Sequence, residues 1–157
     1  MLMKKTIVFV SSVSQNVFAE LLAKRMKGSN ADLKDITFTS SVIEPGSKPL
    51  YVKEINAALT HYAKIEGTCP HSKALLFDNA LMENALAVCP LDKRAHELVQ
   101  ERFFGLYEKK GIILTNLIVY DKQIINPMVA MQSLYDKTKL LLEEYWEPIT
   151  EAAFILS

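Results

Sequence analysis

Ser11, Ser12 and Ser14 stand with Gln15 in one short stretch, Ser11–Gln15. An apolar run, Lys5–Val10, precedes it, and a helical stripe starting near Asn16 follows it. A tight turn between a buried strand and a helix is where an α/β protein holds a phosphate or other anion, because the first amides of the helix point outward there. Three hydroxyls and the positive end of the helix suit that task, with dipole help of about 0.3–1 kcal/mol. A serine hydroxyl becomes a nucleophile only beside a general base. No His, Lys or Asp lies near Ser11–Ser14 in sequence, so a base must come from elsewhere in the chain. The stretch also has no cysteine, arginine, lysine or glycine. Three readings stay open: a polar loop with Ser14 as N-cap, an anion pocket without catalysis, and a working serine nucleophile. Asn16 belongs to the same anion-binding set.

The two cysteines, Cys69 and Cys89, and the three histidines give a second set of candidates. Cys89 ends an apolar run, and a pair with Cys69 in its loop is conceivable. Unpaired core thiols are the plainer reading. Cys69, His71, Cys89 and His96 can be drawn as a zinc set, but C-x-H and C-x6-H match no usual ligand spacing. No metal and no cofactor are expected. His61 reads as a helix surface residue.

These residues must be positioned by the elements around them. Apolar runs alternate with helical stripes along the chain, which argues for βα units and a parallel sheet. Strands are expected at Lys5–Val10, Leu33–Ser40, Ala85–Cys89 and Ile112–Tyr120. The first is a continuous β-branched and aromatic run of the kind buried on both faces. A helix from Asn16 to Lys27 buries Val17, Phe18, Leu21, Leu22 and Met26, turns Glu20, Lys24 and Arg25 to water, and ends at Gly28. Further helices are expected over Leu50–Tyr62, over Leu91–Lys109, and from Met128 onward. Leu75–Met82 is ambiguous. Pro148 should kink or end the last helix. Right-handed crossovers place the binding crevice at the carboxyl ends of the strands. That edge holds Ser11–Gln15, Thr39–Glu44, Cys89–Asp92 and Asp121–Pro127.

The chain has 157 residues, half of them hydrophobic, which suits one domain spanning 1–157 with a substantial core. Lys plus Arg equals Asp plus Glu, so the electrostatic footprint of a general nucleic-acid binder is missing. No apolar segment has the length of a membrane span. The start, MLMKKTIVFV, reads better as a first strand than as a signal peptide. Free cysteines suit a cytoplasmic protein.

The four edge loops, in this order, resemble the low-molecular-weight phosphotyrosine phosphatase and arsenate reductase family. Thr6–Val10 is similar to that family's first strand, and Phe18-Ala19-Glu20-Leu21-Leu22 to the start of its first helix. Phe38-Thr39-Ser40-Ser41, Glu44-Pro45-Gly46 and Pro49 resemble its second strand and Pro-rich loop. Ala87-Val88-Cys89 resembles its third strand. Asn126-Pro127 falls where the family carries an Asp-Pro pair. The resemblance implies an α/β three-layer sandwich with a four-stranded parallel sheet in the order 2-1-3-4, phosphotyrosine phosphatase I-like. It also implies a Cys-x5-Arg loop and an Asp general acid, and here the chain departs from it. Ser11 or Ser12 stands nearest the cysteine, Gln15 takes the arginine position, and Asn126 takes the acid position. Asp121 and Asp78 are the candidate replacements for that acid.

The expected function is a non-catalytic pseudo-enzyme that binds a protein partner or a small oxyanion through Ser11, Ser12, Ser14, Gln15, Asn16 and Asn126. The alternative is an active divergent phosphatase or arsenate reductase-like enzyme with Ser11 or Ser12 as nucleophile, Asp121 as acid, or Cys89 as redox centre. A homodimer through the last helix is also open, since Leu140 and Trp146 lie off its main stripe.

Overall fold

The computed structural model describes residues 5–12, 17–43, 52–67, 75–120 and 126–157. Its centre is β1 (Lys5–Ser11), in which Ile7, Val8, Phe9 and Val10 are all buried. A strand buried on both faces needs helices on both faces, and alternate residues sort to opposite sides. Ile7 and Phe9 join a core formed with α1 (Phe18–Lys27), α2 (Val52–Glu66) and α6 (Pro127–Leu156). Val8 and Val10 join a second core formed with α3 (Asn79–Asn84), α4 (Lys93–Arg102) and α5 (Phe104–Lys110). The result is the three-layer α/β/α sandwich anticipated from the sequence.

The sheet is parallel throughout, with β2 (Ile36–Val42), β3 (Leu75–Leu76) and β4 (Ala87–Pro90) in the order β3-β2-β1-β4. Its three longer strands, β2-β1-β4, follow the expected succession. The difference lies at the edges. The fourth strand is Leu75–Leu76, outside β2, where the sequence was ambiguous. The expected strand over Ile112–Tyr120 supplies only two isolated parallel bridges, Val88 to Gly111 and Asp92 to Ile118. Between them the chain is drawn toward α6. Thr115 Oγ1 and Tyr145 Oη lie 2.6 Å apart, the Asn116 amide donates to Tyr145 Oη at 3.0 Å, and Asn116 Nδ2 donates to Glu144 at 3.2 Å.

Three helical expectations change. The single helix over 91–109 breaks at Phe103, whose backbone sits at φ −136°, ψ 40°, outside the helical region. The break seats the Phe103 ring edge-on against Phe77, 5.6 Å between centroids. Pro148 neither ends nor breaks α6. It lies on the exposed side, where water can satisfy the carbonyl its missing N–H abandons, while Ile149 and Ala153 anchor the next turns in the core. Helix α1 starts at Phe18, after the N-cap Val17, which makes no side-chain capping bond. Ser14, the expected cap, lies outside the described residues.

Glu20 also departs from the expected pattern: it is buried rather than facing water. Its carboxylate accepts the Ser40 amide at 3.2 Å and the Lys24 ammonium at 3.2 Å, and its own amide donates to Ser40 Oγ at 3.0 Å. A backbone partner from β2 makes burial of this charge tolerable.

Candidate functional site

The carboxyl ends of β1 and β4 meet at Asp92. This residue is the N-cap of α4 in extended geometry, and its Oδ1 accepts the Ala95 amide at 2.9 Å. Its other oxygen, Oδ2, faces the end of β1. There it accepts the Ser12 amide at 2.9 Å, the Tyr120 hydroxyl at 2.8 Å and the Ser11 hydroxyl at 3.4 Å. Ser11 Oγ and Tyr120 Oη are themselves 3.0 Å apart. Asp92 is 3% exposed and Ser11 1%. A buried carboxylate needs such donors, because charge-assisted bonds offset its desolvation. The bridge from Asp92 to Ile118 brings Tyr120 to this point.

Chemically the arrangement is a polar knot among the described residues. The buried Ser11 hydroxyl lies within hydrogen-bond distance of Tyr120 Oη and Asp92 Oδ2. The Ser12 amide, which could have faced an anion at the mouth of the turn, is engaged by Asp92. Sequence reading placed Asp92 on this edge without a role and did not single out Tyr120. The Asp-x-x-Ala pattern before α4 signals an N-cap. Nothing local signals the contacts to residues 11, 12 and 120.

The remaining candidates are distributed as follows. Ser14, Gln15, Asn16 and Asp121 lie outside the described residues, as do Cys69 and His71. Asn126 caps α6: its Oδ1 accepts the Met128 amide at 2.9 Å and the Val129 amide at 3.4 Å. Asp78 caps α3, accepting the Leu81 amide at 2.9 Å, which occupies the carboxylate proposed as a substitute acid. Cys89 is fully buried in β4, opposite Phe9, and burial pushes its thiol well above the ordinary range. Redox service needs an accessible thiolate, so this placement argues against that role. His96 Nδ1 lies 2.6 Å from Tyr107 Oη, and the Tyr107 hydroxyl is pushed up first by burial and then by Cys89. His61 is exposed on α2, as expected. Trp146 is half-buried with its ring 5.5 Å from Phe38. Leu140 is 70% exposed.

Among the described residues, no group of three His, Cys, Asp or Glu is placed to hold a metal ion. None of the described helices is long and apolar enough to cross a membrane.

The architecture is that of the low-molecular-weight protein tyrosine phosphatases. A low molecular weight protein tyrosine phosphatase from T. tengcongensis superposes with a TM-score of 0.66 at 14% identity, over 92% of this chain and 99% of that one. A protein tyrosine phosphatase from Entamoeba histolytica gives a TM-score of 0.68 at 11% identity, over 94% and 97%. The YwlE arginine phosphatase, in a cysteine-to-serine mutant with a phosphorylated active site serine, gives 0.58 at 16% identity, over 90% and 96%. Identities this low show a shared fold. No protein-family model matches the chain, and no curated protein sequence matches it.

Proposed function

We propose that this chain is a non-catalytic protein on the phosphatase scaffold, cytoplasmic, that binds a protein partner or a small oxyanion. One observation carries the reading: the hydroxyl of Ser11, one of the two serines (with Ser12) nearest the nucleophile position of the resembled family, is buried against Asp92 and Tyr120. A nucleophile has to reach a reacting atom about 3–3.5 Å away, and a hydroxyl turned into the core cannot do so. Between the two ligands, the knot favours a protein. The Ser12 amide is already bonded, and the Asp92 carboxylate beneath it repels a second negative charge. The exposed Leu140 side chain on α6 is available to such a partner, including a second copy.

The test is hydrolysis of a generic aryl phosphate by the purified protein, with melting followed in phosphate and vanadate. No turnover and no shift are expected. An oxyanion at 100 times its Kd would add about 2.7 kcal/mol of stability, which makes the oxyanion reading directly visible.

A second reading has two observations in its favour. The Asp92 carboxylate stands 3.4 Å from Ser11 Oγ, supplying the base that the neighbouring sequence lacks. The phosphoserine in the YwlE mutant is a serine carrying phosphate on a similar scaffold. Under this reading the chain is an active divergent enzyme. Incubation with aryl phosphate then leaves phosphate on Ser11 or Ser12, seen by mass spectrometry and abolished in Ser11→Ala/Ser12→Ala.

A further inference from the structure

The segment that carries Tyr120 to the knot is longer than the stretch of β4 it runs beside. It meets β4 at two parallel bridges, Val88 with Gly111 and Asp92 with Ile118. Four steps of β4 therefore face seven steps of its partner, an excess of three residues. Both ends are bonded: the Ile112 amide donates to Val88 O and the Ile118 amide to Leu91 O, each at 2.8 Å. A ladder continued from Gly111 without the excess would set Thr115 opposite Asp92. Tyr120 would then lie three residues, or about 10 Å, further along. Its hydroxyl would leave Asp92 Oδ2, to which it now donates at 2.8 Å.

The excess is taken up at Thr115 and Asn116, where the chain bends, and α6 holds it there. Tyr145 Oη accepts the Asn116 amide at 3.0 Å and lies 2.6 Å from Thr115 Oγ1. Glu144 accepts Asn116 Nδ2 at 3.2 Å. On the other side of Ile118, Lys137 Nζ donates to Val119 O at 2.7 Å. The two grips match in length. From Lys137 to Tyr145 the helix rises about 12 Å, and from Asn116 to Val119 an extended chain spans about 10 Å. Extra residues in one of two paired segments re-aim the side chains that follow.

We propose that Tyr145 and Lys137 are positioning residues for the Asp92 knot: they hold the three-residue excess in place and so fix the register at which Tyr120 meets Asp92. They act through residues 115–120, and the device is independent of whether the site turns over a substrate.

Amide hydrogen exchange of the full chain tests this at Asn116, Ile118 and Ser12, with Phe9 in the centre of β1 as the reference. Tyr145→Phe keeps the ring and removes the gripping oxygen. Relative to Phe9, exchange at Ile118 and Ser12 should become at least about threefold faster, the scale of one ordinary hydrogen bond. Lys137→Met should act in the same direction, and Lys137→Arg should behave as wild type. A folded Tyr145→Phe chain in which Asn116 alone exchanges faster overturns the proposal. Tyr120→Phe separates positioning from general support. In that background the Tyr120 hydroxyl is already gone, so Tyr145→Phe should speed Ser12 less than it does in the wild-type chain. An equal gain in both backgrounds means that Tyr145 does not act through Tyr120, which also overturns the proposal. Should Tyr145→Phe fail to fold, Lys137→Met decides by the same comparisons.

Discussion

The Ser12 amide donates to Asp92 Oδ2 at 2.9 Å across 80 positions of sequence. The bond locks the exit of β1 to the entry of α4, and the same oxygen holds Tyr120. Removing it should therefore destabilise the whole edge. Asp92→Ala should cost about 3 kcal/mol or more, combining a lost cap with lost charge-assisted bonds. Asp92→Asn keeps a capping oxygen and should lose less. Urea denaturation measures both, and a loss below about 1 kcal/mol in the alanine variant would show the knot to be incidental.

Gly111 owes its identity to space rather than to backbone freedom. A Cβ there would sit 2.4 Å from Cδ1 of Tyr107 and 2.5 Å from the Tyr107 carbonyl oxygen. The ring is buried and its hydroxyl is tied to His96, so it cannot swing away freely. Gly111→Ala should lower stability by about 1–3 kcal/mol, read as a drop in melting temperature. An unchanged melting temperature would mean that Tyr107 yields.

Cys89 should be chemically silent in the native state. With Cys69→Ser as background, a thiol reagent should label Cys89 only on unfolding, at a rate that tracks denaturant. Fast labelling in native buffer would reopen the redox reading, since only an accessible thiolate reacts in this way.

Glu66 predicts an acid limb to stability. Its carboxylate takes bonds from Lys139 at 2.8 Å, from Arg25 at 3.2 Å and from the Tyr135 hydroxyl. Burial raises its pKa, but the Lys139 and Tyr135 bonds and the Lys139 and Arg25 charges outweigh this and hold it below its ordinary 4.5. A depressed carboxylate stabilises the fold above its unfolded pKa, and that contribution disappears as pH falls through the lower folded value. Wild type and Glu66→Gln should thus differ most above the ordinary carboxylate pKa and converge in thermal melts as the pH falls through the lowered folded value. Tyr135 works at the other end. Pushed up to about 12 by burial and by Glu66, it stabilises the fold below its ordinary 10.0 and loses that effect as pH rises through the higher value. Parallel melting curves for the two proteins at every pH would contradict the Glu66 assignment.

The strongly patterned parts of the chain were legible. The run Ile7–Val10 can only be a central strand, and the stripes of α1 and α6 can only be covering helices. What escaped was everything set by partners distant in sequence. Glu20 looks like a solvent residue because periodicity records the helix but not the β2 amide waiting beside it. The strand expected over Ile112–Tyr120 has the right composition, yet Tyr145 and Glu144 draw its middle away from β4. The break at Phe103 has no proline to announce it; the pull comes from Phe77. At the site, Ser11 was found from its turn and Asp92 from its edge, but their contact is a property of the folded sheet.

The knot at Asp92 also sets an order of events. Ser11 and Tyr120 are separated by 109 positions, and both meet the same carboxylate. During synthesis the first strand leaves the ribosome long before the tyrosine that secures its tip, so that tip must wait, loosely held, for most of translation. Long-range closure of this kind is slow.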